Sequence, residues 1–334
     1  MTTARTTTTR RPRPRALGAA AVGLLALSAC GADDGTASEE GIPEGELVEV
    51  TVGVLPIAPS VGIYYGIEHG IFEEHGLDVE LEYADAGAAM LPAVSTQQYQ
   101  FGIGNPNSVL NAADQGLDIR IVSGYTNSWA EGDDVAGVIA KADSGIEDWT
   151  DLEGASVAIN ALQTQGDLTI MDSVENAGGD PEAVSFTEMP FPDMPAQLEL
   201  DNVDAIWVPE PFMSQTLSDD ANHLVGHSFQ DAVPGMPTMV AFSSGDYVDQ
   251  NPEVAQAFHD AMREALSAAQ ADEEGARELL VDFIDMPEEA AMSIAMEEFE
   301  AEIRTEEIDE VAALMVKYGF ISEVPEMSEI YFVD

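Results

Sequence analysis

The chain has 334 residues, 45% of them hydrophobic, with 63 acidic against 11 basic side chains and a formal charge of −52 at pH 7. That length suits two lobes with real cores better than one small domain. The charge excludes a phosphate backbone or an anionic lipid surface as partner, so no nucleic acid is expected.

Residues 1–29 carry five arginines (Arg5, Arg10, Arg11, Arg13, Arg15) and no acidic residue, which leaves 6 basic against 63 acidic groups beyond them, or −57. Such a surface reads as a solvated acidic coat, and the acidic runs are assigned no site. The apolar run Ala16–Leu27 is too short to span a bilayer and has the proportions of a signal-peptide core, so 1–29 is read as a cleaved leader. Leu27-Ser28-Ala29-Cys30 resembles the bacterial lipobox, which implies acylation of Cys30 and anchoring to the cell membrane from outside the cytoplasm. Cys30 is the single Cys in the sequence, so no intramolecular disulfide is possible. Arg10-Arg11 lacks the apolar residues that follow a twin-Arg pair. Residues 30–46, made largely of Gly, Ser, Asp and Glu, read as a disordered tether. Incorporation of labelled palmitate is expected to stop in Cys30→Ala; a variant that still takes up the label would remove the anchor.

Leu47–Leu55 reads as a buried strand and Val61–Glu68 as a short helix stopped at His69-Gly70. Leu77, Val79, Leu81 and Tyr83 alternate with Asp78, Glu80 and Glu82, the period of a half-buried strand. Gly87–Gln97 is a second helix with Pro92 in its first turns, and Phe101–Gly104 a third strand ending in Asn105-Pro106-Asn107-Ser108. A helix to about Gln115 follows, then a strand over Ile119–Ser123 that ends near Tyr125-Thr126-Asn127. This alternation predicts a parallel sheet with helices on both faces, whose ligand lies beyond the carboxyl ends of the strands. By that rule Pro59, Tyr64, Gly87, Asn105, Tyr125 and Asn127 face one crevice.

Val135–Ala140 reads as a first crossing strand. After the turn at Asp143-Ser144-Gly145, the strand Ala155–Ile159 runs through the polar loop Asn160–Gly166 into a helix to about Ala177. Small polar residues at a helix start aim unpaired backbone N–H groups at one point, so Gln163, Thr164 and Gln165 are ligand candidates. Val184–Glu188, a Pro-rich loop to Asp193, a short helix over Met194–Leu200 and the strand Val203–Val208 repeat the first lobe's pattern. Pro237–Phe242 reads as the second crossing strand. Asn251 and Pro252 open a long helix with an apolar stripe of Val254, Ala257, Phe258, Ala261, Met262 and Leu266. Further helices are predicted near Asp272–Phe283, Pro287–Phe299 and Thr305–Tyr318.

Three stretches carry a family resemblance. Lys141-Ala-Asp-Ser-Gly-Ile146 with Asp151-Leu-Glu-Gly154, Val203-Asp-Ala205 running to Glu210-Pro211, and Gly53–Pro56 with Tyr64–Glu80 resemble the nitrate/sulfonate/taurine and thiamine-precursor group of ABC-transporter substrate-binding proteins. Gln97–Gln100 departs from the family, which has Gly and then Asp there. The resemblance implies a two-lobe, type II periplasmic-binding-protein α/β fold, each lobe a sheet flanked by helices, joined by a two-strand hinge. Lobe 1 would hold 47–136 and 239–334, and lobe 2 would hold 137–238. It further implies a monomeric receptor that closes on a small solute and is read by a membrane permease and ATPase, with no cofactor.

The ligand is approached through charge. Between Leu47 and Asp260 the basic residues are Arg120, at the strand start opposite the ligand side, and Lys141, just past a crossing strand. Neither is placed to neutralise an anion. Carboxylates are closer (Asp133, Asp134, Asp193, Glu210), and so are aromatic rings (Tyr64, Tyr65, Tyr125, Trp129, Trp207). A carboxylate beside aromatic faces suits an amine or aminopyrimidine; an aliphatic sulfonate such as taurine comes second. Trp207 and Glu210 have plainer uses as well, a core filler and a helix cap.

Other chemistry is poorly supported. His223 and His227 have i,i+4 spacing, but Leu224-Val225-Gly226 between them suggests a strand or loop, so no metal is expected. Gly102-Ile103-Gly104 lacks the third Gly of a dinucleotide fingerprint. A pyrimidine-forming synthase shares the implied fold, yet it carries a Cys-rich iron motif that this sequence lacks, so no enzyme activity is expected. A receptor that feeds a sensor kinase is the remaining alternative.

Overall fold

The computed structural model describes residues 42, 45 and 47–332. The leader (1–29), Cys30 and, apart from residues 42 and 45, the tether (30–46) lie outside the described residues. The described residues pack as one compact unit. In chain order, β1 (Val48–Val54), β2 (Leu77–Tyr83), β3 (Phe101–Gly104) and β4 (Ile119–Asn127) enter a first sheet. β5 (Ala136–Lys141), β6 (Ser156–Ile159), β7 (Ser185–Glu188), β8 (Ala205–Pro209) and β9 (Asn222–Gly226) build a second, and β10 (Pro237–Ser244) and β11 (Glu298–Phe299) return to the first.

The sheets run β2-β1-β3-β10-β4-β11 and β7-β6-β8-β5-β9. Both are mixed, which corrects the all-parallel expectation. β1 pairs in parallel with β2 and β3, and β6 with β7 and β8. The two strands that follow a crossing, β5 and β10, run antiparallel to their neighbours. The reason is geometric: a chain leaving one sheet at its ligand end enters the other from that same end, so its first strand there points the opposite way.

Local patterning accounts for most elements. β2 lies at a sheet edge and keeps its period of two, with Asp78, Glu80 and Glu82 exposed and Leu77 buried. All eight residues of β10 are buried, as expected of a strand enclosed on both sides and both faces. The helix Pro252–Ala271 buries Val254, Phe258, Ala261, Met262 and Leu266 on the first sheet, and Phe258 stacks on Phe101 at 3.7 Å between centroids.

One helix is shorter than its pattern. The stretch Pro287–Phe299 is helical only over Glu288–Ala291. The carbonyls of Ala291 and Ile294 accept from the Arg277 guanidinium, and Phe299 N–H donates to Gln270 Oε1 at 2.7 Å. Glu298 and Phe299 then pair with Asn127 and Thr126 as β11, so sheet pairing and these contacts override helix propensity. Pairing with β10 and β11 carries β4 to Asn127, in keeping with the expected end near Tyr125-Thr126-Asn127.

Candidate ligand-binding cleft

Each sheet has one place where the strand order reverses, between β1 and β3 in the first and between β6 and β8 in the second. The carboxyl ends of those four strands are where an open α/β sheet leaves room for a ligand. A pocket with about 40 Å3 of space for water centres, open to solvent at its mouth, joins the two points. From the first sheet come Leu55, Ile57, Pro59, Gly104, Asn105, Thr238, Met239 and Glu297; from the second come Asn160, Gln165, Phe191, Trp207, Pro209 and Phe229.

Aromatic side chains build one wall. Trp207 packs edge-on against Phe229 at 5.5 Å and tilted against Phe191 at 5.9 Å, while its indole N–H donates to Ser228 Oγ at 3.2 Å. A Cβ on Gly166 would come within 2.9 Å of the Trp207 ring, so the helix Gln165–Asn176 holds the indole from behind. On the other wall, Gly104 sits against Gly87. A Cβ at Gly104 would fall 2.8 Å from Gly87 Cα, which makes Gly87 a close-approach position for the helix Gly87–Ser95. Gly104→Ala is expected to cost about 1–3 kcal/mol by pushing that helix off the strand, measurable as a lower urea midpoint; unchanged stability would show that the contact can relax.

Of the sequence-predicted residues, the pocket brings together Pro59, Asn105, Gln165 and Trp207. Two of these have internal duties: Asn105 Oδ1 accepts from Ser108 N–H and Oγ–H to cap the helix Pro106–Asp114, and Gln165 Nε2 donates to Pro237 O at 2.7 Å. The others lie elsewhere. Tyr64 stacks on Phe283 at 5.1 Å. Tyr125 is fully buried, and its hydroxyl accepts from Ile63 N–H at 2.9 Å. Asn127 donates to Glu300 Oε2, and Asp193 is exposed outside the pocket. Glu210 is buried, but its carboxylate accepts from Ser214 N–H and Oγ–H and so caps the helix Phe212–Leu217.

Gln163 and Thr164 show why the helix start does not hold an anion. Their N–H groups donate to Asp167, at 2.6 Å to Oδ2 and 2.9 Å to Oδ1, so the chain's own carboxylate already occupies that position. Thr164 Oγ1 donates to Ala161 O, and the Gln163 carbonyl accepts from Asn111 Nδ2. Burial raises the Asp167 pKa to about 6, against the lowering effect of those N–H groups.

The six basic residues among the described residues are all ion-paired: Arg120 with Asp118 and Asp249, Lys141 with Asp201, Arg263 with Asp260, Arg277 with Glu273, Arg304 with Glu298 and Glu300, and Lys317 with Asp172 and Glu175. None lines the cleft. His223 and His227 lie on and just after β9, each with a ring nitrogen against a backbone carbonyl, of Ile146 and Ala136 respectively. A larger cavity at the amino end of β4, opposite the cleft, includes Arg120, which its two aspartates already hold.

Sequence reasoning missed Glu297, Asn160, Thr238 and the aromatic pair Phe191 and Phe229. Asn160 was within reach, as the first residue past a strand's carboxyl end. Glu297 carried no local signal, because its stretch reads as a helix with no cleft residue. It is 4% exposed, and Oε2 has no hydrogen-bond partner among the described residues. Burial raises its pKa to about 8, only partly countered by the hydroxyls of Thr126 and Thr238.

Two sheets facing each other across a pocket at their reversal points define a solute-binding protein of the periplasmic type. Residues 58–276 match the family model described as "NMT1/THI5 like", and the chain belongs to that family. A candidate ABC-transporter periplasmic binding protein of Brachyspira hyodysenteriae is 24% identical over 272 residues, covering 77% of this chain and 74% of that one. Among solved structures, the alkanesulfonate-binding protein SsuA of Xanthomonas axonopodis pv. citri, bound to MOPS, superposes with a TM-score of 0.73 at 14% identity, covering 86% of this chain and 99% of that one. The periplasmic nitrate-binding protein NrtA of Synechocystis gives 0.72 at 15%, covering 83% of each chain.

Proposed function

We propose that this chain is the extracytoplasmic, lipid-anchored, monomeric receptor of an ABC importer, capturing a small amine or aminopyrimidine and passing it to a permease and ATPase. The lobes are residues 47–136 with 239–334, and 137–238, and the solute is held between them without chemical change. The observation that carries the reading is the pocket itself: it lies at both reversal points, has aromatic walls and a buried carboxyl group, and contains no basic side chain. An anionic ligand finds little there, because Asp167 fills the helix start and every described Lys and Arg is paired. Sulfonate and nitrate receptors share the fold, but these side chains favour a donor-bearing nitrogen group over an anion. No helix among the described residues is long and apolar enough to cross a membrane, so attachment rests on Cys30.

Calorimetry on the purified chain tests the reading with 4-amino-2-methylpyrimidine, taurine, methanesulfonate and nitrate. The aminopyrimidine is expected to bind most tightly. Tight binding of nitrate or methanesulfonate with none of the aminopyrimidine would overturn the ligand class, and turnover of any of these compounds would overturn the receptor role.

A further inference from the structure

The pocket contains a buried carboxyl group that the hydroxyls of Thr126 and Thr238 approach and one oxygen of which the protein leaves unpaired. Glu297 enters from the segment before β11, and its Oε2 is shielded from solvent and without a partner. A buried unpaired polar oxygen costs about 1–3 kcal/mol, a cost that a ligand in the pocket would remove. We propose, resting on the receptor reading above, that Glu297 selects the ligand as a neutral carboxyl group, its O–H and C=O meeting a ligand edge that carries an acceptor beside a donor. An amino-substituted nitrogen heterocycle has such an edge: the ring nitrogen accepts from the carboxyl O–H, and the amino N–H donates to the carbonyl oxygen. The flat ring then lies among Trp207, Phe191 and Phe229.

The surroundings keep the group protonated. The titratable groups facing Glu297 are Asp134, from the segment before β5, and Tyr125 of β4. The first repels a second negative charge, and the second is a neutral phenol with its pKa raised by burial. From β4 and β10 come the hydroxyls of Thr126 and Thr238, 2.8 Å apart. The second sheet contributes Asn160, Gln165 and aromatic rings, with no charge. His227 lies toward Asp134 and Glu210. Burial with no cation at hand accounts for a pKa near 8.

The test compares wild type, Glu297→Gln and Glu297→Leu by calorimetry with 4-amino-2-methylpyrimidine from about pH 7.5 to about pH 9.5. Gln keeps a donor and an acceptor and does not titrate, so affinity within about threefold of wild type is expected, flat across the range. Leu is expected to lose about tenfold or more. Wild-type affinity should fall about tenfold per pH unit above about 8, where the O–H is lost. A Glu297→Gln loss as large as that of Leu, or wild-type affinity that rises with pH, means that a carboxylate holds a cation and overturns the proposal. Folded Glu297→Leu that binds like wild type overturns it too, while leaving the receptor reading intact. If wild type binds neither the aminopyrimidine nor taurine, the receptor's ligand class fails and the proposal fails with it.

Discussion

Replacing Glu297 with Gln is expected to stabilise the ligand-free protein increasingly as the pH rises from about 5 to about 8, by a few kcal/mol at the upper end. The group's pKa goes from an ordinary 4.5 to about 8 in the folded state because the charged form is desolvated. Between those values the folded chain keeps a proton that the unfolded chain has released. Stability therefore falls with rising pH through this window, and it is level with respect to this group below about 4.5 and above about 8. Asp167, pushed up to about 6, adds a contribution of the same sign at lower pH, and buried Asp134 and Glu210 are raised in the same direction. Exposed carboxylates held low by hydrogen bonds, such as Asp148 with Thr150, act in the opposite sense and only in acid. Urea denaturation of both proteins at pH 5 and pH 8 measures the difference. Curves for wild type and Glu297→Gln that shift in parallel would show that Glu297 is not held neutral.

The second large effect is expected at the far side of the cleft. Lys317 and Tyr318 end the helix Thr305–Lys317, which belongs to the first sheet's side, and reach the helix Gln165–Asn176 of the second. Lys317 Nζ lies 2.9 Å from Asp172 Oδ1 and 3.1 Å from Glu175 Oε2, and the Tyr318 hydroxyl is 2.6 Å from Glu175 Oε2. Asp172 is buried, so this is not an ordinary surface pair. Without the ammonium group, two carboxylates face each other where the lobes meet, in a chain already short of positive charge. Lys317→Met is expected to lower ligand affinity about tenfold, because the closed form loses charge-assisted hydrogen bonds that an open form does not make. Calorimetry reads the affinity, and small-angle scattering should show less compaction of the variant on adding ligand. If both stay as in wild type, the contact does not hold the lobes together. Tyr318→Phe should have a smaller effect of the same sign, since it removes a donor and leaves the cation.

The two lobes, the strand order along the chain and the ends of most elements were legible in the amino-acid sequence, because the signals are local. The period of two over Leu77–Tyr83, the Asn105-Pro106 helix start and the stripe from Val254 to Leu266 depend on residues a few positions apart. The scarcity of basic residues near the cleft was legible too, since composition needs no coordinates. The site was legible only in outline: the rule that ligands sit at strand ends pointed to Pro59 and Asn105, the helix start to Gln165 and the aromatic residues near the cleft to Trp207, all of which line the pocket. The strand-end rule also drew in Tyr125 and Asn127, whose side chains turn to the core and to Glu300.

Tertiary structure decided what is paired with what. Asp167 satisfies the N–H groups of Gln163 and Thr164, Ser214 occupies Glu210, and Glu297 is brought from the far end of the chain to a buried position with one oxygen unpaired. Asp167 and Ser214 act within four residues of their partners, but the surroundings of Glu297 come from Thr126, Asp134 and Thr238, far away along the chain, and no periodicity records that. The sequence by itself determined that two α/β halves with an acidic surface would face each other; packing decided that the pocket between them is aromatic, uncharged by any Lys or Arg, and floored by Glu297.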